Sequence, residues 1–362
     1  MPKIKEPITI LTIGDRPDYD SYRKFHKQKS FILKSGFLYE TTSYKRFLKK
    51  GPPHIETKKI ILFLFFPFTY WNEKIEYRHY EGIYGNRAFF TKFGHFWEEV
   101  EKNIRKYLGE KEILFVNRPQ FCGLYRDKLE AAKKFKENNI PNPKLYNIRS
   151  VKKIEDLLNE GHAFFLKPRY GSMGKGITFL GWSNWQTNFI YRNNKIVSKR
   201  SDRGWKFTDV TGNRKFLSAL LREKSMLTEE AIDSLILKKS KVDMRVYVFF
   251  NKVIYIYPRK NKADKITTNI SQGAKGDPKL LKELPPHLVT RAKKIALRTS
   301  KALGVNFTGM DIMMDRNLRD VYVIDVNLFP GFPKRRTFDL AESMIKELKK
   351  QKRKLTWNSQ KK

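Results

Sequence analysis

Two groups of residues in this 362-residue chain have the types and spacing for phosphate and metal chemistry. The first is Lys167-Pro168-Arg169-Tyr170-Gly171-Ser172-Met173-Gly174-Lys175-Gly176-Ile177. Glycine lets the backbone take φ > 0 and bring several N–H groups to phosphate oxygens, and Lys167 adds a fixed positive charge beside that loop. The second group, far downstream, is Asp311-Ile312-Met313-Met314-Asp315 with Asp325-Val326-Asn327. Magnesium takes hard oxygen ligands and is usually held by one or two carboxylates plus substrate phosphates. Asp325 and Asn327 lie two apart on the β-prone run Val321–Asn327, so they point to one face of a strand and can share one ion. Burying such groups on an apolar strand without a partner is costly.

The elements that must position these residues are also legible. Phe164-Phe165-Leu166 before the glycines and Ile177-Thr178-Phe179-Leu180 after them predict two antiparallel strands joined by the loop. A P-loop would carry lysine where Ile177 stands, and a Rossmann fingerprint would open a helix. A glycine cluster between strands also suits an ordinary hairpin; the downstream carboxylates favour the phosphate reading. Ile8–Ile13, Ile60–Phe66 and Ile113–Asn117 predict further strands, while Phe96–Leu108 and Lys128–Asn138 carry helical spacing. The class is α/β. A small α/β domain is expected over residues 1–118, a middle lobe with the glycine loop over 119–238, a carboxyl-terminal lobe with the metal ligands over 239–345, and a basic tail over 346–362.

Composition bounds the partners. With 75 Lys and Arg against 37 Asp and Glu, the net charge is +38, a field that attracts polyanions: nucleic acid, an acidic peptide or an anionic surface. Cations alternate with aromatics in Ser21-Tyr22-Arg23-Lys24-Phe25-His26-Lys27, a pattern that also suits base stacking. One cysteine excludes an intrachain disulfide, and with six histidines it yields no nucleophilic triad. The most apolar run, Ile60–Phe68, is too short to span a bilayer, and the start has no signal-peptide stretch, so the cytoplasm is the expected location. Ile75–Asn86 reads as a substrate-binding or a structural loop, and the insert Trp182–Glu230 as a lid, a macromolecule-facing loop or a surface excursion.

The ordered motifs K-P-x-x-G-S-x-G-x-G-I, D-x-R, T-N-x-S-x-G, G-x-D-I-M-x-D and D-V-N-x-F-P-G-F carry a resemblance. Over roughly residues 117–340 the chain resembles the ATP-grasp superfamily, and within it the endospore coat-associated YheC/YheD type and the RimK-like glutamate ligases. The resemblance implies an ATP-grasp fold, two α+β lobes clamping ATP behind a pre-ATP-grasp domain. It implies ATP and Mg2+ as cofactors, with Mn2+ as the alternative ion. Lys128 and Lys167 match the nucleotide lysines, and Gly171, Ser172, Met173, Gly174, Lys175 and Gly176 match the phosphate loop. Arg245 and Arg259 match arginines near the phosphates or the acyl phosphate, and Asn269 an active-site asparagine. Asp311, Asp325 and Asn327 match the metal ligands. Two departures stand out. Asp325 replaces the usual Glu, and its shorter arm favours monodentate ligation. The hinge to adenine is expected near Leu235–Lys239, which lacks an acidic or amide residue, so backbone groups from Ile236 to Lys238 would serve.

The implied activity is an ATP-dependent carboxylate–amine ligase working through an acyl phosphate, with a carboxylate substrate and an amine acceptor, a peptide or protein among the candidates. Such chemistry needs a cationic clamp and magnesium more than acid or base groups, which fits the residues present. A second reading keeps the fold as a basic scaffold for nucleic acid or an acidic polymer, and a third is kinase-like phosphotransfer.

Overall fold

The computed structural model describes residues 6–15, 20–77, 80, 82–198, 205–352 and 357–359. Arg78, His79 and Glu81 of the Ile75–Asn86 stretch, and residues 353–356 and 360–362 of the expected basic tail, lie outside these.

The first sheet is built from β1 (Ile8–Ile13), β2 (Leu38–Thr42), β3 (Lys59–Leu64) and β4 (Glu112–Phe115). They run parallel in the order β4-β3-β1-β2. Parallel neighbours require crossovers, and helices supply them. The longest, Arg87–Leu108, starts earlier than the spacing predicts because the Asn86 side chain accepts from Ala88 N and Phe89 N and caps it. It buries Phe89, Phe93, Phe96, Trp97, Val100 and Ile104.

The middle sheet holds β5 (Leu145–Tyr146), β6 (Phe164–Pro168), β7 (Thr178–Gly181), β8 (Asn184–Thr187), β11 (Thr208–Asp209) and β12 (Met226–Glu230), in the order β11-β8-β7-β6-β12-β5. A separate hairpin pairs β9 (Ile190–Arg192) with β10 (Lys195–Val197). As expected, the glycine loop joins antiparallel neighbours, β6 and β7, with Phe164 opposite Leu180. The Trp182–Glu230 insert is not a surface excursion. It supplies β8, β11 and β12 to this sheet, and its helix Arg214–Arg222 buries Phe216, Leu217, Leu220 and Leu221.

The third sheet contains β13 (Ile236–Leu237), β14 (Ser240–Phe249), β15 (Lys252–Lys262), β16 (Lys275–Gly276), β17 (Phe307–Met314) and β18 (Val321–Asn327). Its order is β16-β15-β14-β17-β18, with β13 paired to the start of β14. The helix Pro286–Leu303 packs on it through Leu288, Ala292, Ile295 and Ala296. The chain passes between the two six-stranded sheets through residues 231–235, before the expected boundary at 238.

The carboxyl terminus is only partly a tail. The helix Leu340–Gln351 buries Leu340, Ala341, Met344, Ile345 and Leu348, and these join a core cluster with Tyr22, Phe25 and Ile32 of the first domain. Asn358–Ser359 then pairs antiparallel with β4 at the sheet edge. Burial of an apolar helix face outweighs the repulsion of the exposed lysines around it. Among the described residues, no helix is long and apolar enough to cross a membrane.

Candidate active site

Between the middle and third sheets lies a cleft of about 890 Å³, counting the solvent space at its open mouth. Lys128, Lys167, the loop Gly171–Lys175, Arg259, Asn269, Asp311 and Asp325 all line it. Residues from five separated stretches of sequence thus converge on one space.

Local structure explains each position. Lys128 opens the helix Lys128–Glu137, whose cap Asp127 accepts from Leu129 N at 2.9 Å. The same carboxylate takes Arg169 Nε at 2.6 Å and Nη2 at 2.5 Å. One bidentate pair therefore fixes the helix bearing Lys128 against the strand end bearing Lys167. Lys167 projects from β6 and meets Glu229 of β12 at 2.5 Å. Across β17 and β18, Asp311 stands opposite Asp325 and Gly309 opposite Asn327, with a register shift just after Asp311. Directly opposed residues share a sheet face, so both carboxylates face the cleft.

The cleft floor is a chain of buried charges. Arg245 grips Asp311 bidentately at 2.7 and 2.8 Å. Arg259 donates from Nη1 to Asp311 at 3.2 Å and from Nε to Asp243 at 2.8 Å, with Nη2 also on Asp243. Thr268 Oγ1 completes Asp243 at 2.6 Å. Burial alone would push the Asp311 carboxyl up, yet the two arginines outweigh it and hold its pKa at about 2. Burial likewise opposes the Arg259 charge, and Asp243 and Asp311 outweigh it and raise that pKa above its ordinary value. Neither arginine is a solvated strand charge: Arg245 supports Asp311 from behind, outside the cleft lining.

These donors suit one divalent ion. Among the described residues no group of three or more His, Cys, Asp or Glu is placed to hold a metal alone. Two carboxylates and an amide leave the remaining positions to phosphate and water, as magnesium prefers. Asn327 Nδ2 is buried without a hydrogen-bond partner. The two ends of an amide exchange by a half-turn, so an oxygen directed at an ion fits that position. Asp325 Oδ1 accepts from Lys128 Nζ at 3.1 Å.

The glycine loop is folded over this space. Gly174 and Gly176 sit at φ 69° and 74°, and a Cβ on Gly176 would lie 2.7 Å from the Phe189 ring. The loop tip is tied to the third sheet by Ser271 Oγ, which donates to Met173 O at 2.8 Å. Ser172 is tied to the first domain by Tyr84 Oη, 3.1 Å from its Oγ, and Arg126 Nη2, from the stretch that leads into the middle lobe, donates to that oxygen at 3.1 Å.

Three expectations need correction. Lys175 is not presented to a ligand; it is buried, its Nζ lies 2.6 Å from Glu76 Oε1 and over the Tyr84 ring, and Glu76 Oε2 holds Trp71 Nε1. A buried ammonium needs a charge partner, and this one draws on the Ile75–Asn86 stretch, which thereby serves as the loop's anchor. Ile236 and Lys238 do not line the cleft. Ile236 opens β13 opposite Lys241, and Lys238 follows in the tight turn into β14, with Lys238 and Lys239 at φ 48° and 61° and Lys238 paired to Glu283. The crossing lies earlier, where Glu229, Glu230 and Ile232 line the cleft beside Phe165, Met313 and Ile324. An acidic pair is therefore present at the hinge. The signal was the acidic pair Glu229-Glu230 directly after the short β-prone run Met226-Leu227-Thr228. Gly176 and Asn327 border the cleft without lining it.

A family model described as YheC/D-like ATP-grasp matches residues 118–356, which include both six-stranded sheets. The chain belongs to that family. Curated relatives of this YheC/D-like ATP-grasp chain include a probable alpha-L-glutamate ligase from Coxiella burnetii (strain Dugway 5J108-111), 33% identical over 89 residues, 25% of this chain and 27% of the relative. Another, of the same description, from Pectobacterium carotovorum subsp. carotovorum (strain PC1), is 30% identical over 106 residues, 28% of this chain and 32% of the relative. The chain thus spans about a quarter to a third of the length of the curated relatives it matches. Among solved structures, the ATP-grasp ligase PsnB with a minimal precursor variant, Mg and ADP has a TM-score of 0.55 at 13% identity, covering 94% of this chain and 96% of that one. The macrocyclase MdnC with precursor peptide MdnA, from Microcystis aeruginosa MRC, gives 0.56 at 12%, covering 94% and 98%. D-alanine–D-alanine ligase from Bacillus anthracis gives 0.51 at 15%, covering 96% and 99%. The fold is ATP-grasp, and the first parallel sheet precedes it in the chain.

Proposed function

We propose that this protein is an ATP- and magnesium-dependent ligase that joins a carboxylate to an amine through an acyl phosphate. The carrying observation is the convergence of Lys128, Lys167 and the glycine loop with Asp311 and Asp325 in one cleft. The apolar pocket of Phe165, Ile232, Met313 and Ile324 suits a purine, with Glu229 and Glu230 at its edge. Asp311, Asp325 and Asn327 would hold magnesium, which neutralises phosphate charge when bound. A polyphosphate would replace Asp325 and Glu229 as the partner of Lys128 and Lys167, while the glycine loop covers it and excludes water. Arg259 and Asn269, on the third-sheet side, stand where charge develops on the transferred phosphoryl group and the acyl intermediate. Manganese, with similar oxygen preferences, would substitute.

Among the described residues the cleft lining holds no cysteine or histidine, Cys122 being buried elsewhere, and the attacking group in this reading is the substrate carboxylate itself. Support also comes from the ligase descriptions of the relatives and from PsnB, whose structure holds Mg and ADP. A screen of amino acids and short peptides as paired substrates, with ATP and magnesium, is expected to find at least one pair that releases ADP only when both partners are present. Failure to bind magnesium–ATP in a titration would remove this reading.

A further inference from the structure

The metal strand β18 runs on into the loop Pro330-Gly331-Phe332-Pro333, whose carbonyls are all pinned inward. Ser21 Oγ donates to Pro330 O at 3.1 Å, Tyr247 Oη to Gly331 O at 2.8 Å, and Lys24 Nζ to Phe332 O and Pro333 O at 2.9 Å each. The helix Asp20–His26 of the first domain is thereby fastened beside the active site. Asn327 and Phe332 are five residues apart, a span of at most about 18 Å. Between that helix and the segment 332–341 lies a pocket of about 780 Å³, open to solvent.

Its charge is one-sided. Arg23, Lys24, Lys27 and Arg335 line it, and Asp339 is the one acidic residue among the described lining residues. Asp339 is already engaged, by Gln28 Nε2 and Arg335 Nε at 2.8 Å each and by Glu342 N at 3.0 Å. Lys334 and Arg336 are exposed alongside. Lys27, one residue past the helix Asp20–His26, donates its backbone N–H to Arg23 O at 3.2 Å, so the two lie one turn apart on the same side.

We propose that this pocket binds the carboxylates of an acidic peptide, the acceptor whose amine is carried across the Pro330–Pro333 loop into the cleft. The acceptor role rests on the ligase reading; the binding does not. Carboxylates are the matching chemistry, since guanidinium and ammonium donors form charge-assisted bonds with them. Single-stranded nucleic acid would want ring faces for stacking. Here Tyr22 and Phe25 are 1% and 0% exposed, Phe332 is buried, and Phe338 already stacks on Tyr255 at 3.9 Å.

The test is anisotropy of a labelled hexa-aspartate peptide titrated with the full chain, with hexathymidylate as a comparator. Arg23→Glu/Lys27→Glu is expected to weaken hexa-aspartate binding at least about tenfold, and Lys27→Glu alone by about threefold, with hexathymidylate changing less than about twofold. Magnesium–ATP binding, measured on the same proteins, should be unchanged and certifies their fold. The proposal is overturned if both variants bind hexa-aspartate within about twofold of the parent, or if hexathymidylate loses as much as hexa-aspartate. Peptide binding without ADP release under any substrate pair would leave this site standing and remove the ligase reading; ADP release with neutral acceptors and no peptide binding would do the reverse.

Discussion

Asp325→Ala is expected to lower substrate-dependent ADP release by about 10²–10³-fold, because in the proposed mechanism Asp325 would hold the magnesium whose charge is needed in the transition state. The same change deprives Lys128 of its partner at 3.1 Å. Since the Asp325 side chain is 29% exposed on a strand face, the fold should survive. The free protein would then melt close to the parent, while the added stability from magnesium–ATP, about 2.7 kcal/mol at a ligand concentration of 100 Kd, should largely vanish. Asp320→Ala supplies the contrast: that carboxylate is also on the carboxyl-terminal lobe but pairs with Arg291 in solvent, and its loss should leave both readouts near the parent. Unchanged ADP release in Asp325→Ala would contradict the assignment of the cleft.

The second large effect is expected at Asp243, which the D-x-R motif contains but whose purpose becomes clear only in three dimensions. Asp243 is 3% exposed and holds two of the three donor nitrogens of Arg259. Asp243→Ala leaves a buried guanidinium half-unpaired, at a cost of about 3–5 kcal/mol. Thermal unfolding should register that loss, and turnover should fall with it because Arg259 is no longer aimed. Asp243→Ala/Arg259→Met separates the two consequences. With the unpaired charge gone, much of the stability should return, while turnover should stay low. Recovery of turnover in the double variant would show that Arg259 has no part in the chemistry, and a stability change below about 1 kcal/mol in the single variant would show that the charge chain is not coupled as its geometry indicates.

What the sequence made legible and what it hid follow from the range of the interactions involved. The glycine loop was readable because its flanking strands are neighbours in the chain, and Phe164–Leu166 and Thr178–Leu180 are apolar enough to mark themselves. Asp325 and Asn327 were readable from the two-residue period of a strand. The Asp243–Arg259 pair was accessible in principle: β14 and β15 are joined by the turn at Phe250-Asn251, both at positive φ, and folding the chain there sets Asp243 opposite Arg259. The anchor of Lys175 was not, since Glu76 is 99 residues away and nothing local marks either as buried. The hinge was displaced because Met226–Glu230 and Leu235–Leu237 are both short β-prone runs, and only their sheet membership tells which precedes the crossing. The C-terminal helix misled for a related reason: its lysines are visible in any window, whereas the first-domain surface that covers its apolar face is not.

The central claim is that a substrate carboxylate attacks the γ-phosphate of ATP and an amine then displaces phosphate from the acyl phosphate. In that sequence the oxygen bridging carbon and phosphorus leaves with phosphorus, so the released phosphate carries one oxygen from the carboxylate. With an ¹⁸O-labelled carboxylate taken from the ADP-release screen, mass spectrometry of the phosphate should find one ¹⁸O per turnover. Amide formation accompanied by unlabelled phosphate, or a phosphorylated product in place of an amide, would contradict the account.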